Sequence, residues 1–189
     1  MCRTFFASKS GALTILMPHQ LLLATRNVGK IEEFRRILQA QAPSEIELLG
    51  LDAFPDTHEV VEDGKTFVEN ALKKAREMAL ATGIPAIADD SGLCIDALGG
   101  DPGIFSARWA GHHGDDAANN QKVLDQLRDV ADENRSAHFT CVAALYLPDG
   151  RNHYEEEDSM AGFYEHLLWT DLATIQFFAQ RAIRFRVLK

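Results

Sequence analysis

Short apolar segments alternate with amphipathic helical segments along the first 150 residues of the chain. An apolar run at 21–25 predicts a buried strand, and the polar turn after it leads into apolar residues at helical spacing: Ile31, Phe34, Ile37 and Leu38. A second apolar run at 46–51 predicts another strand. Strands that alternate with helices in this way indicate an α/β domain.

The same alternation continues to about residue 150. Thr66 and Glu69 form a T-x-x-E capping box, which predicts a helix that ends at Gly83. A short strand is expected at 86–88, closed by Asp89-Asp90, with a turn at Ser91-Gly92. The later elements predicted are a strand at 92–98, a helix at 115–128 and a strand at 137–147.

Composition bounds the classes of function. The chain has 189 residues, 46% of them hydrophobic, which suits one domain with a substantial core. A formal net charge of −9 argues against general nucleic-acid binding but permits a small anion in a local basic pocket.

The cysteines show neither a disulfide framework nor a zinc-binding pattern, which fits a reducing cytoplasm; they are Cys2, Cys94 and Cys141. No apolar run is long enough to suggest a membrane span.

The first sixteen residues do not continue this pattern. Arg3 and Lys9 precede an apolar stretch, as in a signal peptide, but that stretch is short and no small-residue cleavage site follows. We therefore predict that Met17 is the natural start, and that residues 1–16 are a non-native or disordered extension.

The turn between the first strand and helix reads Thr25-Arg26-Asn27-Val28-Gly29-Lys30. A helix N-terminus presents unpaired backbone N–H groups and the positive end of the helix dipole, which together favour an anion. Thr25, Asn27 and Lys30 add side-chain donors, so this loop is a candidate phosphate site. The loop lacks the Gly and the Ser or Thr of a Walker A motif. An ordinary helix cap with a surface lysine explains the same residues.

Two adjacent carboxylates, Asp89 and Asp90, follow an apolar strand. Buried carboxylates need a compensating partner, and Mg²⁺ is often held by one or two of them together with substrate phosphates. Glu62 or Asp63 is a candidate for a further acid, and Ser91-Gly92 would let the chain turn close to a ligand. Alternatively, Asp89 caps a turn and Asp90 is solvated. Open α/β sheets bind ligands at the carboxyl ends of strands, so Lys30 and Asp90 are expected to face one groove.

These segments together resemble the inosine triphosphate pyrophosphatase family over about residues 20–150. The matching text is Leu22-Leu-Ala-Thr-Arg-Asn-Val-Gly-Lys30, Thr66-Phe-Val-Glu-Asn-Ala-Leu-Lys-Lys-Ala-Arg76, Pro85-Ala-Ile-Ala-Asp-Asp-Ser-Gly-Leu93 and Leu98-Gly-Gly-Asp-Pro-Gly-Ile-Phe-Ser-Ala-Arg108. The resemblance implies a cytoplasmic, usually homodimeric enzyme that hydrolyses ITP, dITP and XTP to the monophosphate and pyrophosphate with Mg²⁺. It also implies an elongated mixed β-sheet flanked by helices, with two lobes and a central cleft.

The resemblance also assigns roles to residues. It implies that Asp90 binds metal and acts as general base on the attacking water, and that Glu62 is the second metal ligand. The positions that match substrate contacts are Thr25, Asn27, Lys30, Lys73 and Ser91, within a loop that includes Val28 and Gly29. Arg26 stands where the family usually has Gly. Without the resemblance, Lys73 is a solvated surface lysine.

The chain departs from the family after about residue 158. The family's Gly-Phe-Gly-Tyr-Asp-Pro and Ser-His-Arg-Gly segments, which stack on and recognise the purine base, are absent from the printed sequence. Residues 17–158 are therefore read as an incomplete domain and 159–189 as an atypical tail. The alternative is a genuine C-terminal amphipathic helix whose apolar face includes Phe163, with basic residues suited to a membrane or a partner. The interpretation we favour is a frameshift near Asp158.

The frameshift hypothesis makes a prediction at the level of DNA. When triplets are read from the third base of the Trp169 codon, they permit Asp-Gly-Phe-Gly-Tyr-Asp-Pro-Ile-Phe in place of the printed residues. Resequencing the gene around residue 158 is expected to reveal a displaced frame that restores this motif. An intact frame that restores no motif would refute the hypothesis.

Overall fold

The structure is a computed structural model that describes residues 6–7, 13–14, 19–26, 28–41 and 46–163. Its strands are β1 (Phe6–Ala7), β2 (Leu13–Thr14), β3 (His19–Leu23), β4 (Ile46–Gly50), β5 (Ala86–Ile95), β6 (Ser136–Tyr146) and β7 (Asn152–Phe163). Its α-helices are α1 (Val28–Gln41), α2 (Phe67–Thr82) and α3 (Asp116–Gln126). Short 3₁₀ segments lie at Leu51–Ala53, Asp96–Leu98, Gly103–Arg108 and Asp132–Asn134.

Five strands form one mixed sheet in the order β4-β3-β5-β6-β7. β3 pairs in parallel with β4 and with the first residues of β5, whereas β5, β6 and β7 are joined antiparallel. β1 and β2 form a separate antiparallel pair. This confirms the predicted α/β domain with a mixed sheet and flanking helices. The two-lobed form, its cleft and the start at Met17 stay predictions.

The two faces of the sheet are covered by different helices because successive strand residues point to opposite faces. Ile31 and Phe34 of α1 pack with Leu23 and Ile87 on one face. The apolar side of α2 packs on the other face, over a cluster that includes Leu22, Ala86, Ala88 and Val142. α3 packs with the last part of β5, where Val123 and Leu127 meet Leu93 and Ile95.

The ends of α2 are set by the residues that the capping box predicted. The Thr66 side chain accepts a hydrogen bond from the Glu69 backbone N–H at 3.1 Å, and the Glu69 carboxylate accepts one from the Lys65 N–H at 2.6 Å. The helix ends at Gly83, whose φ of 70° favours glycine. The start and the end of this helix are therefore both confirmed.

The predicted turn at Ser91-Gly92 is wrong. β5 runs without interruption from Ala86 to Ile95, and each of its residues pairs with one of β6. Gly92 serves a close approach instead of a turn, since a Cβ there would lie 2.2 Å from the Gly103 carbonyl oxygen and 2.7 Å from Ser106 Oγ. The sequence Asp-Ser-Gly has turn chemistry, but pairing with β6 along the whole strand overrides it.

β7 crosses the position where the tail was expected to begin. It pairs antiparallel with β6 from Asn152 to Phe163, with a register shift near Ala137. Asp158 therefore lies inside a strand, and Phe163 is its last residue instead of the start of a helix. Residues 164–189 lie outside the described residues, so the frameshift hypothesis stays a prediction.

Replacing Gly92 by Ala is expected to destabilise the fold by about 3 kcal/mol, because the backbone carbonyl of Gly103 cannot yield to a methyl group without moving its 3₁₀ segment. Urea unfolding followed by circular dichroism measures the change. Gly150→Ala is the control: Gly150 has a φ of 95° but open space around it, so only about 1 kcal/mol is expected. Equal midpoints for the two variants would contradict the close approach.

Candidate active site

The candidate site forms where β5 extends past the end of β3. Leu23, the last residue of β3, pairs with Ile87, so Asp89 and Asp90 project beyond that pairing. The chain leaves β3 at the same point and begins α1 at Val28. The first turn of α1 carries no acidic residue, which keeps its N-terminus electropositive. Lys30, in that turn, is thereby brought to Asp89.

Asp89 is held by two lysines from opposite faces of the sheet. Lys30 Nζ lies 2.8 Å from Asp89 Oδ2, and Lys74 Nζ on α2 donates a hydrogen bond to the Asp89 carbonyl oxygen at 2.7 Å. Asp89 is only 7% exposed, and burial by itself acts to raise the pKa of its carboxyl. The charges of Lys30 and Lys74 outweigh that effect, so the pKa of Asp89 is held below its usual value.

Asp90, the next residue of β5, points to the α2 face. Asn70 Nδ2 donates a hydrogen bond to Asp90 Oδ2 at 2.9 Å, and the Ser91 backbone N–H donates one to Asp90 Oδ1 at 2.9 Å. Burial raises the pKa of Asp90 to about 6 against the opposing effects of the Asn70 hydrogen bond and Lys74, and the charges of Glu62 and Asp89 add to the rise. Near neutral pH this carboxyl is therefore close to its titration range.

Glu62 joins the site from the irregular segment before α2. Its carboxylate forms an ion pair of 2.5 Å with Lys74, and its backbone carbonyl accepts a weak hydrogen bond from Arg108 at 3.4 Å. Because Glu62 raises the pKa of Asp90, the two carboxylates are electrostatically coupled. Within the described residues no group of three or more His, Cys, Asp or Glu side chains is arranged as a metal cluster.

The structure brings Lys30, Asp89, Asp90 and Glu62 into one neighbourhood, linked through Lys74. Lys30 contacts Asp89 instead of facing Asp90, because adjacent residues of a strand point to opposite faces. Asp89 is buried within a strand and does not cap a turn. Asp90 is partly buried in the same strand and accepts a hydrogen bond from Asn70, so it is not simply solvated.

The other residues predicted for the phosphate loop surround the start of α1. Thr25 and Arg26 lie in the connection after β3, and Arg26 donates a hydrogen bond to the Thr57 carbonyl oxygen at 3.0 Å. Val28 is exposed, and Gly29 follows it in the first turn. Asn27 lies outside the described residues. The roles of these residues in substrate binding stay predictions.

Lys73 is directed elsewhere. Its ammonium forms an ion pair of 2.5 Å with Asp63, which holds the pKa of that carboxyl below its usual value. Lys73 also lines a surface groove of about 780 Å³ between α2 and the β6–β7 hairpin, together with Glu69, Leu72, Arg76, Glu77, Leu80, Tyr146 and Asn152. Glu62, Asp89 and Asp90 do not line this open groove, so we place the candidate site at Asp89 and Asp90 on the basis of charge and burial.

Asn70 and Lys74 are site residues that the sequence analysis missed. They follow the Thr66 cap at intervals of four residues, which places all three along one side of α2. That spacing could have identified them from the sequence. Thr66 directly follows the segment that carries Glu62, so residues on the same side of α2 as Thr66 are expected to lie near Glu62. The resemblance directed attention to Lys73 instead, which is one position and about 100° away around the helix.

Sequence comparison shows which known proteins this chain is similar to. A sequence profile of the Ham1 family matches residues 21–164. The dITP/XTP pyrophosphatase of Streptomyces coelicolor is 62% identical over 131 residues, which cover 69% of this chain and 65% of the relative. The corresponding protein of Streptomyces avermitilis is 61% identical over 131 residues with the same coverage.

Solved structures give the same result. The nucleoside-triphosphatase/dITP/XTP pyrophosphatase of Mycobacterium abscessus superposes with a TM-score of 0.66 at 45% identity, covering 74% of this chain and 71% of that one. The Ham1 protein of Staphylococcus aureus gives 0.67 at 36% identity, with coverage of 76% and 71%.

The chain spans 65% of the length of each of the two Streptomyces relatives. In the part of the chain that the structure describes, no helix is long and apolar enough to cross a membrane. The match of the profile across most of the chain, together with the relatives and the shared fold, shows that this chain belongs to the Ham1 family.

Proposed function

We propose that this chain hydrolyses non-standard purine nucleoside triphosphates, namely ITP, dITP or XTP, to the monophosphate and pyrophosphate. Its relatives are named dITP/XTP pyrophosphatases. The observation that carries the proposal is the meeting of Lys30 and Lys74 at Asp89, directly beside the partly buried carboxyl of Asp90. Two ammonium groups and a helix N-terminus suit a phosphate chain, and an adjacent carboxyl of raised pKa suits proton transfer.

The donor set fits Mg²⁺. Asp90 and Glu62 offer hard carboxylate oxygens, and two carboxylates from the protein are the usual number for this ion, with phosphates and water as the other ligands. Burial raises the pKa of Asp90 and the charge of Glu62 adds to the rise, so a cation between the two carboxylates would stabilise their ionised forms. When bound, Mg²⁺ would neutralise charge on the phosphates and polarise them for attack.

The chain's own residues have separable tasks. Lys30 and the N–H groups at the start of α1 would hold the phosphate chain, and Lys74 would balance the charge that Glu62 and Asp89 place near it. Asp90 would accept a proton from the water that attacks the α-phosphorus, after which pyrophosphate leaves. A carboxyl with a pKa of about 6 is mostly ionised at neutral pH yet basic enough to take that proton.

The base-recognition segments expected from the family are absent from the printed sequence, and this favours a second candidate. In that case the chain binds nucleotide through its phosphates but turns it over poorly, as an inactive nucleotide-binding or assembly remnant. Correct placement of the α-phosphorus depends on the whole nucleotide, and loss of positioning lowers the rate steeply.

The cellular setting follows from the proposed reaction. A cleansing activity on the nucleotide pool would operate in the cytoplasm, and the acidic net charge of −9 gives no general attraction for nucleic acid. We also propose that the chain forms a homodimer, as the family resemblance implies, and that it has no membrane partner.

Release of pyrophosphate from ITP, dITP and XTP in the presence of Mg²⁺ tests the proposal. Asp90→Asn is expected to lower kcat about 100-fold or more, because the amide can neither take the proton nor hold the metal as well. The control is Asp129→Asn, which changes an exposed acid in the turn after α3 and should retain activity. Full activity of Asp90→Asn would contradict the role of Asp90. Thermal stabilisation by ITP and Mg²⁺ without turnover would favour the remnant.

The raised pKa of Asp90 predicts how the metal-free chain responds to pH. Its folded pKa of about 6 exceeds the unfolded value of 3.8, so the folded state binds the extra proton between these values. The contribution of this group to stability is therefore fully present below pH 3.8 and is lost as the pH rises through about 6. In EDTA, Asp90→Asn is expected to raise the free energy of unfolding by about 1–2 kcal/mol at pH 7.5.

That gain should shrink towards zero near pH 4, where the wild-type carboxyl is protonated in the folded chain. Denaturant titrations at both pH values measure the difference, with Asp129→Asn as the matched exposed acid. A gain that is the same at both pH values would show that Asp90 titrates normally.

A further inference from the structure

Asn70 connects the two parts of the candidate site that hold its carboxylates. Its side chain is completely buried, at 0% exposure, on the second turn of α2. Asn70 Oδ1 accepts a hydrogen bond from the Gly64 backbone N–H at 2.8 Å, and Asn70 Nδ2 donates one to Asp90 Oδ2 at 2.9 Å. Both ends of the amide are thus engaged, one with the segment that carries Glu62 and the other with Asp90.

The contact with Gly64 fixes which way the amide points. A backbone N–H needs an acceptor, so the oxygen of the amide must face Gly64 and the nitrogen must face Asp90. Gly64 also fits closely: a Cβ there would lie 2.6 Å from Asn70 Oδ1. The donor offered to Asp90 is therefore set by the backbone of another segment and cannot rotate away without breaking a buried hydrogen bond.

This arrangement fixes the plane of the Asp90 carboxylate. Asn70 holds Oδ2 and the Ser91 N–H holds Oδ1, so each oxygen has one directed donor. A carboxylate has about four lone-pair positions, which leaves one on each oxygen for a metal ion or for water. The orientation of these remaining lone pairs depends on the two donors.

We propose that Asn70 is a positioning residue for the reaction: by bridging Gly64 and Asp90, it holds the Asp90 carboxylate in fixed relation to the segment that carries Glu62. This inference rests on the proposed function. Groups that orient a ligand or base commonly change activity or metal affinity by 10- to 100-fold when they are removed. Asn70 touches neither the phosphate chain nor the metal in this proposal, and it acts through Asp90.

The chain offers a matched control in Asn119. This residue is also buried, at 2% exposure, on an α-helix, and its Oδ1 accepts a hydrogen bond from the Ala110 backbone N–H at 2.7 Å. Its Nδ2 has no hydrogen-bond partner among the described residues, and it lies on α3, away from Asp90. Asn119→Ala therefore reproduces the loss of a buried amide that holds a loop, without the link to a carboxylate.

Asn70→Ala is expected to lower kcat for ITP about 10- to 100-fold while KM changes less than about 3-fold, because substrate contacts remain and the base is misplaced. Asn119→Ala should lose about as much thermal stability as Asn70→Ala but leave kcat unchanged. Asn70→Asp keeps an acceptor for Gly64 but replaces the donor to Asp90, so its kcat should fall at least as far as that of Asn70→Ala. Equal kcat values for the Asn70→Ala and Asn119→Ala variants would overturn the proposal.

Metal binding gives a second readout that does not depend on turnover. Titration with Mn²⁺ followed by electron paramagnetic resonance is expected to show about 10-fold weaker binding for Asn70→Ala, and unchanged binding for Asn119→Ala. An active wild type whose Asn70→Ala variant retains both kcat and Mn²⁺ affinity overturns the positioning role alone. A wild-type chain that neither binds Mn²⁺ nor hydrolyses any of the nucleotides overturns the proposed function, and the role of Asn70 with it.

Discussion

The buried carboxylate of Asp89 and the two lysines that converge on it are the interaction on which the site depends. An ionised carboxylate is costly to bury alone, and Asp89 stays ionised because Lys30 and Lys74 are close. The lysines belong to helices that cover opposite faces of the sheet. Asp89 therefore ties the first turn of α1 and the middle of α2 to the same point of β5.

The neighbouring carboxylates Asp89 and Asp90 show how the partners of a carboxyl decide the direction of its pKa shift. Both are subject to desolvation, which raises a carboxyl pKa. Asp89 has the charges of Lys30 and Lys74 against this effect, whereas Asp90 has the hydrogen bond from the neutral Asn70 amide and the charge of Lys74 alone, and it is repelled by Glu62 and Asp89. The pKa values consequently move in opposite directions. One residue becomes a permanent counter-ion and the other a group that can exchange a proton, although sequence alone gives them the same chemistry.

Local signals in the sequence were sufficient where they act through the backbone. Thr66, Glu69 and Gly83 predicted both ends of α2, because caps and left-handed glycines depend on a few neighbouring residues. The pairing of β5 with β6 could not be read in this way, since it joins residues about 50 positions apart and overrides the turn preference of Ser91-Gly92. The site shows the same limit. Glu62, Asp89 and Asp90 could be identified from the sequence as acids near predicted turns, but their contacts with lysines on other elements could not.

The choice between Lys73 and Lys74 depended on the rotation of one helix against a sheet. A rotation of about 100° per residue turns a neighbour of the carboxylates into a surface residue. Asn70 was missed for a related reason: the role of a buried asparagine depends on its partners, and its partner Asp90 lies on a different element, 20 residues further along the chain.

The candidate site residues lie between 25 and 91, apart from the weak contact of Arg108, while the atypical tail predicted from the sequence begins at residue 159. β6 and β7 connect the two regions through the sheet, but neither strand supplies a side chain to the carboxylate cluster in the described contacts. The charge network around Asp89 is therefore built from the first half of the chain. Its contacts join β5 only to α1, to α2 and to the segment before α2, so a change confined to the last third of the chain removes none of them directly.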